Sequence, residues 1–210
     1  MGTAAILGSL TGLAFSSGLR LYSTVLVVGL GLRFGLLELP PALDDLQVLA
    51  TTPILVIAGV AYLIEFLADK IPWVDSLWDG IHTVIRPLGA ALVAVTALGR
   101  VDPVLTIAAA ILCGGIALSS HSGKATARLV VNQSPEPFSN IGLSLGEDAA
   151  VVGIAWLAFR HPLITLALVA AVTGLIIWLV PRVVRSVRRR AAAITDTITG
   201  QARRGPSPRG

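Results

Sequence analysis

Cysteine is nearly absent from this chain, and charge is scarce. A single Cys113 among 210 residues cannot close an internal disulfide, and it cannot supply the paired thiolates of a zinc site. Both a disulfide-stapled secreted scaffold and a Cys-based metal module are thereby excluded. The histidines are only three, His82, His121 and His161, and they are scattered, which argues against a His-rich metal centre. No Gly-x-x-x-x-Gly-Lys-Ser/Thr phosphate loop occurs. Charged residues make up 13% of the chain, against roughly 25% in an ordinary water-soluble domain. What fills the gap is apolar: 54% hydrophobic residues and a mean hydropathy of +0.81. These values indicate an integral membrane protein.

The charge is also unevenly spread. Residues 182–210 hold eight arginines against one acid, Asp196, while residues 1–181 hold eight bases and eleven acids. The division predicts a transmembrane domain over 1–181 and an Arg-rich, disordered tail over 182–210 that lies against anionic lipid on the cytoplasmic side. Nucleic acid is not expected as a partner, because the basic stretch follows directly on an apolar run. No charge precedes Arg20, so the basic region of a signal peptide is missing and the first helix is expected to be retained.

A spanning helix needs about 20 largely apolar residues, and runs 46–64, 103–120 and 162–181 supply them outright. Run 4–19 also qualifies, and 21–37 does so if Arg33 reaches an interface. The runs at 87–99 and 149–159 are short, so those spans must take in His82 and Arg86, and Glu147 and Asp148. The expected fold is an all-α polytopic bundle of seven helices, near 3–18, 19–37, 51–70, 80–99, 103–120, 138–159 and 162–181. A re-entrant first helix reduces the crossings to six. The arginines at the carboxyl end place it in the cytoplasm, in keeping with a multi-pass protein of a bacterial inner membrane, and the loop with Asp44 falls outside. Sliding residues 4–25 onto 109–130 aligns Ala4, Ala5, Ile6, Leu7, Leu13, Ser17, Gly18 and Val25 with identical residues. That alignment suggests a parallel internal repeat, a plan some transporters use.

Three polar clusters need explaining. Glu65 and Asp69 are four apart and share a helix face, and Pro72 follows where that helix should stop. Beyond it Asp75, Asp79, His82 and Arg86 line one face of a further helix. Asn140, Ser144 and Glu147 form a second face with Asp148 beside it, about 14 Å from the helix start at 1.5 Å per residue. Glu147 is expected to be the most deeply buried ionisable group. The third cluster joins Arg20 with Lys124 and Arg128, which are four apart and can face one anion or carboxylate. Buried ionisable groups in a membrane mark ion paths and proton relays, or pair with one another.

Together these residues resemble a known pattern. Ser17-Gly-Leu-Arg20, Glu65 with Ala68-Asp-Lys-Ile-Pro72, Asp75, Asp79, Thr83, Arg86-Pro87 with Gly89-Ala90, His121, Lys124-Ala125, Arg128, Asn140, Ser144 and Glu147-Asp148 are similar to the bacterial membrane family catalogued as domain of unknown function 4126. The resemblance covers about residues 5–180 and implies a compact multi-helix membrane protein with no assigned activity. The residues themselves favour a small transporter or channel for an ion or small solute, with an acid-rich polar cavity toward the cytoplasm. In that reading Arg20, Arg86, Lys124, Arg128, Asn140, Ser144, Glu147 and Asp148 bind the ion or solute. The alternatives are a membrane enzyme acting on a lipid headgroup, with Glu65, Asp69, Asp75 and Asp79 holding Mg²⁺ or another divalent cation, and a non-catalytic assembly factor. Nothing in the sequence selects an oligomeric state.

Overall fold

Prolines begin most of the helices from which this bundle is built. The computed structural model describes residues 2–69, 71–99, 101–131 and 137–203, the side chains of 72, 73, 75, 76, 137–140, 188 and 190–203 excepted. The helices are α1 (Thr3–Leu19), α2 (Leu21–Arg33), α3 (Thr52–Ala68), α4 (Pro72–Leu98), α5 (Pro103–Val131), α6 (Pro137–Arg160) and α7 (Pro162–Arg203). A 3₁₀ helix, Pro41–Ala50, precedes α3, and among the described residues there is no strand. Pro72, Pro103, Pro137 and Pro162 stand at first helical positions, where the missing N–H would have had no partner in any case. Asp102 caps α5, its Oδ1 accepting from the N–H groups of Val104 at 2.9 Å and Leu105 at 3.2 Å. Gly35, at φ +67°, stops α2 and lets the N–H groups of Leu36 and Leu37 return to the Gly31 carbonyl.

The all-helical bundle agrees with the sequence expectation, and the boundaries differ in four places. Residues 34–37 are a turn rather than the end of a span. The acid-rich stretch from Pro72 and the apolar run to Leu98 form one continuous helix, so Asp79 and Arg86 share an axis with the membrane span. Helix α5 continues through His121, Lys124 and Arg128 to Val131, residues the sequence placed at a helix junction. Helix α7 continues past Pro181 to Arg203, into the segment that the sequence sets apart as a tail. The physical reason is that Ala and Arg propagate a helix well and that the segment after Pro181 contains no further proline before Arg203.

Among the described residues four helices, Leu77–Leu98, Pro103–Val131, Ile141–Arg160 and Pro162–Val187, are long and apolar enough to cross a membrane. The 3₁₀ helix and α3 together make a fifth candidate, bent by 67°. Helices α1 and α2 are shorter and are joined at Arg20, whose backbone is extended (φ −151°, ψ 98°). Gly8 near the start of α1 packs on Pro162, and Arg33 at the end of α2 bonds Thr52, so both outer ends lie where α7 and α3 begin. Consequently α1 and α2 form a hairpin whose turn, Arg20, is fully buried.

Residues 8–18 of α1 are buried without interruption, which makes α1 the axis around which α4, α5, α6 and α7 pack. Gly18 permits its closest approach, because a Cβ there would strike the Ala117 carbonyl and the Ser120 hydroxyl of α5. Contacts from Ser120 Oγ to the Phe15 carbonyl (2.9 Å) and Lys124 Nζ to the Leu19 carbonyl (3.2 Å) show α1 and α5 side by side and parallel. The two segments aligned as a repeat are thus direct neighbours, although α5 continues where α1 breaks.

Outward faces are apolar: Ile57, Val60, Leu63, Leu67, Leu92, Ile107, Ile111 and Ile177 are each more than half exposed. Inward faces carry the charge, with Arg20, Glu65, Asp69, Arg86, Lys124 and Arg128 all buried. A water-soluble domain shows the reverse arrangement.

Candidate functional site

The hairpin turn sets Arg20 against acids of two other helices. Its guanidinium meets Asp69 at the end of α3 through NH2, Glu147 Oε2 of α6 through Nε at 3.1 Å, and Asp148 Oδ1 through NH1 at 3.5 Å. From α5, Arg128 NH2 reaches Asp69 Oδ2 at 3.1 Å, Glu147 Oε2 at 3.2 Å and the Ser144 hydroxyl at 3.1 Å. Lys124 Nζ lies 3.1 Å from the same Glu147 Oε2. One carboxylate oxygen therefore receives three cationic groups. Asp148, at the edge of this cluster, accepts from Ser23 Oγ at 3.3 Å and Tyr62 OH at 3.1 Å.

A second node adjoins the first through α4. Arg86 NH2 pairs with Glu65 Oε1 at 2.6 Å, and its NH1 lies 3.5 Å from Asp79 Oδ1 and donates to His121 Nδ1 at 2.6 Å. The same NH1 lies 3.4 Å from the Gly18 carbonyl. An arginine can only donate, so His121 Nδ1 is an acceptor and Nε2 carries the proton. That Nε2–H faces the Asp79 carbonyl at 3.2 Å and Thr83 Oγ1 at 3.1 Å. His82, stacked on Trp78, donates from Nδ1 to the Trp78 carbonyl at 2.8 Å and accepts from Tyr22 OH at 3.2 Å.

The charges nearly cancel. Four bases, Arg20, Arg86, Lys124 and Arg128, hold five acids, Glu65, Asp69, Asp79, Glu147 and Asp148, among the described side chains. One negative charge is left over. Within the cluster, Glu65 Oε2 and Asp69 Oδ1 are buried with no hydrogen-bond partner among the described residues. Glu147 is ten residues from Pro137, about 15 Å along α6 at 1.5 Å per residue, whereas Asp69 stands at the end of α3 and Arg128 in the last turn of α5.

The structure therefore joins Arg20, Asp69, Lys124, Arg128, Ser144, Glu147 and Asp148 in one node, and Glu65, Asp79 and Arg86 in the other. The side chains of Asp75 and Asn140 lie outside the described residues. Glu147 is 7% exposed whereas Glu65, Arg20 and Arg86 are fully buried, which corrects the expectation that Glu147 lies deepest. The acids considered for a divalent cation are apportioned among guanidiniums, Glu65 and Asp79 on Arg86 and Asp69 on Arg20 and Arg128. Among the described residues no three of His, Cys, Asp and Glu converge as metal ligands.

Sequence reasoning missed Tyr22, Ser23 and Tyr62. Tyr62 was legible, since Tyr62, Glu65 and Asp69 fall at i, i+3 and i+7 on one face of α3. It also passed over Gly142-Leu-Ser144-Leu-Gly146, which spells the Gly-x-Ser-x-Gly pattern. A nucleophile elbow needs a sharp strand-to-helix turn, and here the five residues lie within α6 with the Ser144 hydroxyl held between Arg128 and Asp69.

A cavity of about 570 Å³ between α5, α6 and α7 reaches this cluster, touching Lys124 and Glu147. Its other walls are largely apolar, including Leu143, Ile176 and Leu179, and Val130, Leu175 and Leu179 at its margin are exposed on the apolar exterior. The cavity thus opens sideways toward lipid. A family model described as domain of unknown function (DUF4126) matches residues 7–182. No curated protein and no solved structure matches the chain.

Proposed function

The chain belongs to the DUF4126 family, and because that membership brings no activity with it, we propose from the buried charges that it is a small transporter in which this cluster carries the coupling ion. One observation supports the reading: among the described side chains, five carboxylates meet four bases in the buried interior of the bundle, one acid more than the bases. A bundle held together for packing alone gains nothing from such a cluster, since well-packed apolar residues in place of buried ion pairs are often as stable or more so. The additional acid suits a proton or a monovalent cation, and Glu65 Oε2 and Asp69 Oδ1, which have no hydrogen-bond partner among the described residues, are acceptors for it. The arginines at the end of α7 support a cytoplasmic location for that end, beside anionic lipid of a bacterial inner membrane. The headgroup enzyme is less favoured, because Glu65, Asp69 and Asp79 among its supposed metal ligands already face arginines.

The test is proton or ion flux into reconstituted vesicles under a pH gradient, measured beside thermal stability for Glu147→Gln and Asp148→Asn. Flux should be lost while the protein stays folded. Removing one partner of a buried pair costs about 3–5 kcal/mol, so lowered stability with unchanged flux would make these acids structural and overturn the transport reading.

A further inference from the structure

The single oxygen shared by three bases shows what else the site can hold. Glu147 Oε2 sits 3.1 Å from Arg20 Nε, 3.1 Å from Lys124 Nζ and 3.2 Å from Arg128 NH2, so these three donors define a cradle for one oxyanion. Arg20 and Arg128 also share Asp69, whereas the other hydrogen bond of Lys124 among the described residues goes to the Leu19 carbonyl. Glu147 and Lys124 are the charged residues that line the cavity, and the rest of its wall is suited to an alkyl chain.

We propose that this cavity binds an anionic amphiphile with a carboxylate end and one acyl chain, and that Glu147 occupies the cradle in its absence. The carboxylate takes the place of Glu147 on Lys124, Arg20 and Arg128, and the chain extends past Ile176 and Leu179 toward the lipid. A cation is repelled by the cradle, and a small hydrophilic anion gains nothing from the apolar wall. A carboxylate fits because the group it replaces is one. Charge balance then requires Glu147 to take a proton from the aqueous phase as the anion arrives, its carboxylate becoming a neutral acid, so one proton accompanies each anion. The groups around Glu147 are Arg20 at the hairpin turn, Asp69 and Tyr62 on α3, Lys124 and Arg128 on α5, and Asp148 and Ser144 on its own helix. Helix α7 presents only apolar side chains to the cavity. This inference rests on the transport reading and names the substrate class for it.

The experiment is equilibrium binding of radiolabelled laurate to the full chain in nanodiscs of neutral phosphatidylcholine. Wild-type protein should bind laurate more tightly as pH falls from about 8 toward about 6, because a Glu147 carboxylate displaced from its three bases against an apolar wall takes up a proton readily. Glu147→Gln, a mimic of the neutral acid, should bind at least about 5-fold more tightly, the size of an ordinary coupling between competing ligands, and should lose the pH dependence. Lys124→Met should abolish binding. Leu179→Trp, which fills the cavity from α7 without touching the charges, should also abolish it while the melting temperature is held, so a misfolded Lys124→Met would still leave the site tested. Equal binding of methyl laurate, tighter binding of dodecyl phosphate, or Glu147→Gln binding no better than wild type would each overturn the proposal. If no laurate binds but flux still depends on Glu147, the substrate class fails and the transport reading stands. If laurate binds as described and flux is independent of Glu147, the site stands as a binding site and transport fails.

Discussion

Arg86 fixes the tautomer of His121 by donating to its Nδ1 at 2.6 Å, although the two residues lie on different helices and 35 positions apart. The imidazole passes that hydrogen bond on, from Nε2–H toward the Asp79 carbonyl and Thr83. His121 is thus the neutral link between a buried arginine and the acid-rich start of α4.

Replacing His121 therefore has a graded outcome. His121→Leu leaves Arg86 NH1 short of an acceptor in the membrane interior, and a buried donor without its partner costs about 1–3 kcal/mol. His121→Asn restores an acceptor near Nδ1 and should recover part of that loss. Thermal denaturation in detergent measures both, and equal destabilisation by the two variants would show that the bond to Arg86 contributes nothing.

Gly18 and Gly115 make a contrasting pair. A methyl group on Gly18 meets the Ala117 carbonyl and Ser120 hydroxyl, whereas on Gly115 it meets nothing within 4 Å. Gly18→Ala should cost about 1–3 kcal/mol by overpacking the α1–α5 contact. Gly115→Ala should be neutral or stabilising by up to about 1 kcal/mol through helix propensity. Comparing the two melting temperatures checks the central position of α1.

Orientation can be read by labelling. With Cys113 buried, Asp44→Cys should react with an impermeant thiol reagent in intact cells and Ser207→Cys should not. The opposite pattern would invert the topology and move the charged cluster to the outer half of the membrane.

The arginine-bearing end of α7 should be separable from the bundle. Arg182 and Arg185 are exposed, and their partners among the described residues lie on their own helix: the Trp178 carbonyl and ring for Arg182, the Pro181 carbonyl for Arg185. Deleting residues 184–210 should leave an inserted, folded protein. Its affinity for anionic vesicles should fall, since each arginine near such a surface contributes about 1 kcal/mol. A truncated chain that no longer inserts would show that this segment is part of the folding unit.

Much of the architecture was legible along the chain. Helix existence follows from hydropathy and from proline, and both act locally: the run 162–181 is apolar enough to leave water by itself, and Pro72, Pro103, Pro137 and Pro162 have no N–H to continue a preceding helix. Face-sharing followed from the same local period, so Glu65 with Asp69 and Lys124 with Arg128 were already pairs before any fold was known. The length of α4 was not legible, because its acidic first turns look amphipathic and interfacial until Arg86 is seen buried on Glu65. Nor was the partner of any charge. Arg20 and Glu147 are 127 positions apart, and nothing between them in the chain records that an extended residue would break α1 from α2 there, or that Gly18 would let α1 approach α5 so closely. Hydropathy and helical period are properties of neighbouring residues, and the sequence by itself determined them. Which oxygen receives which guanidinium depends on the distance between helices that meet only after packing, and only the tertiary structure decided it.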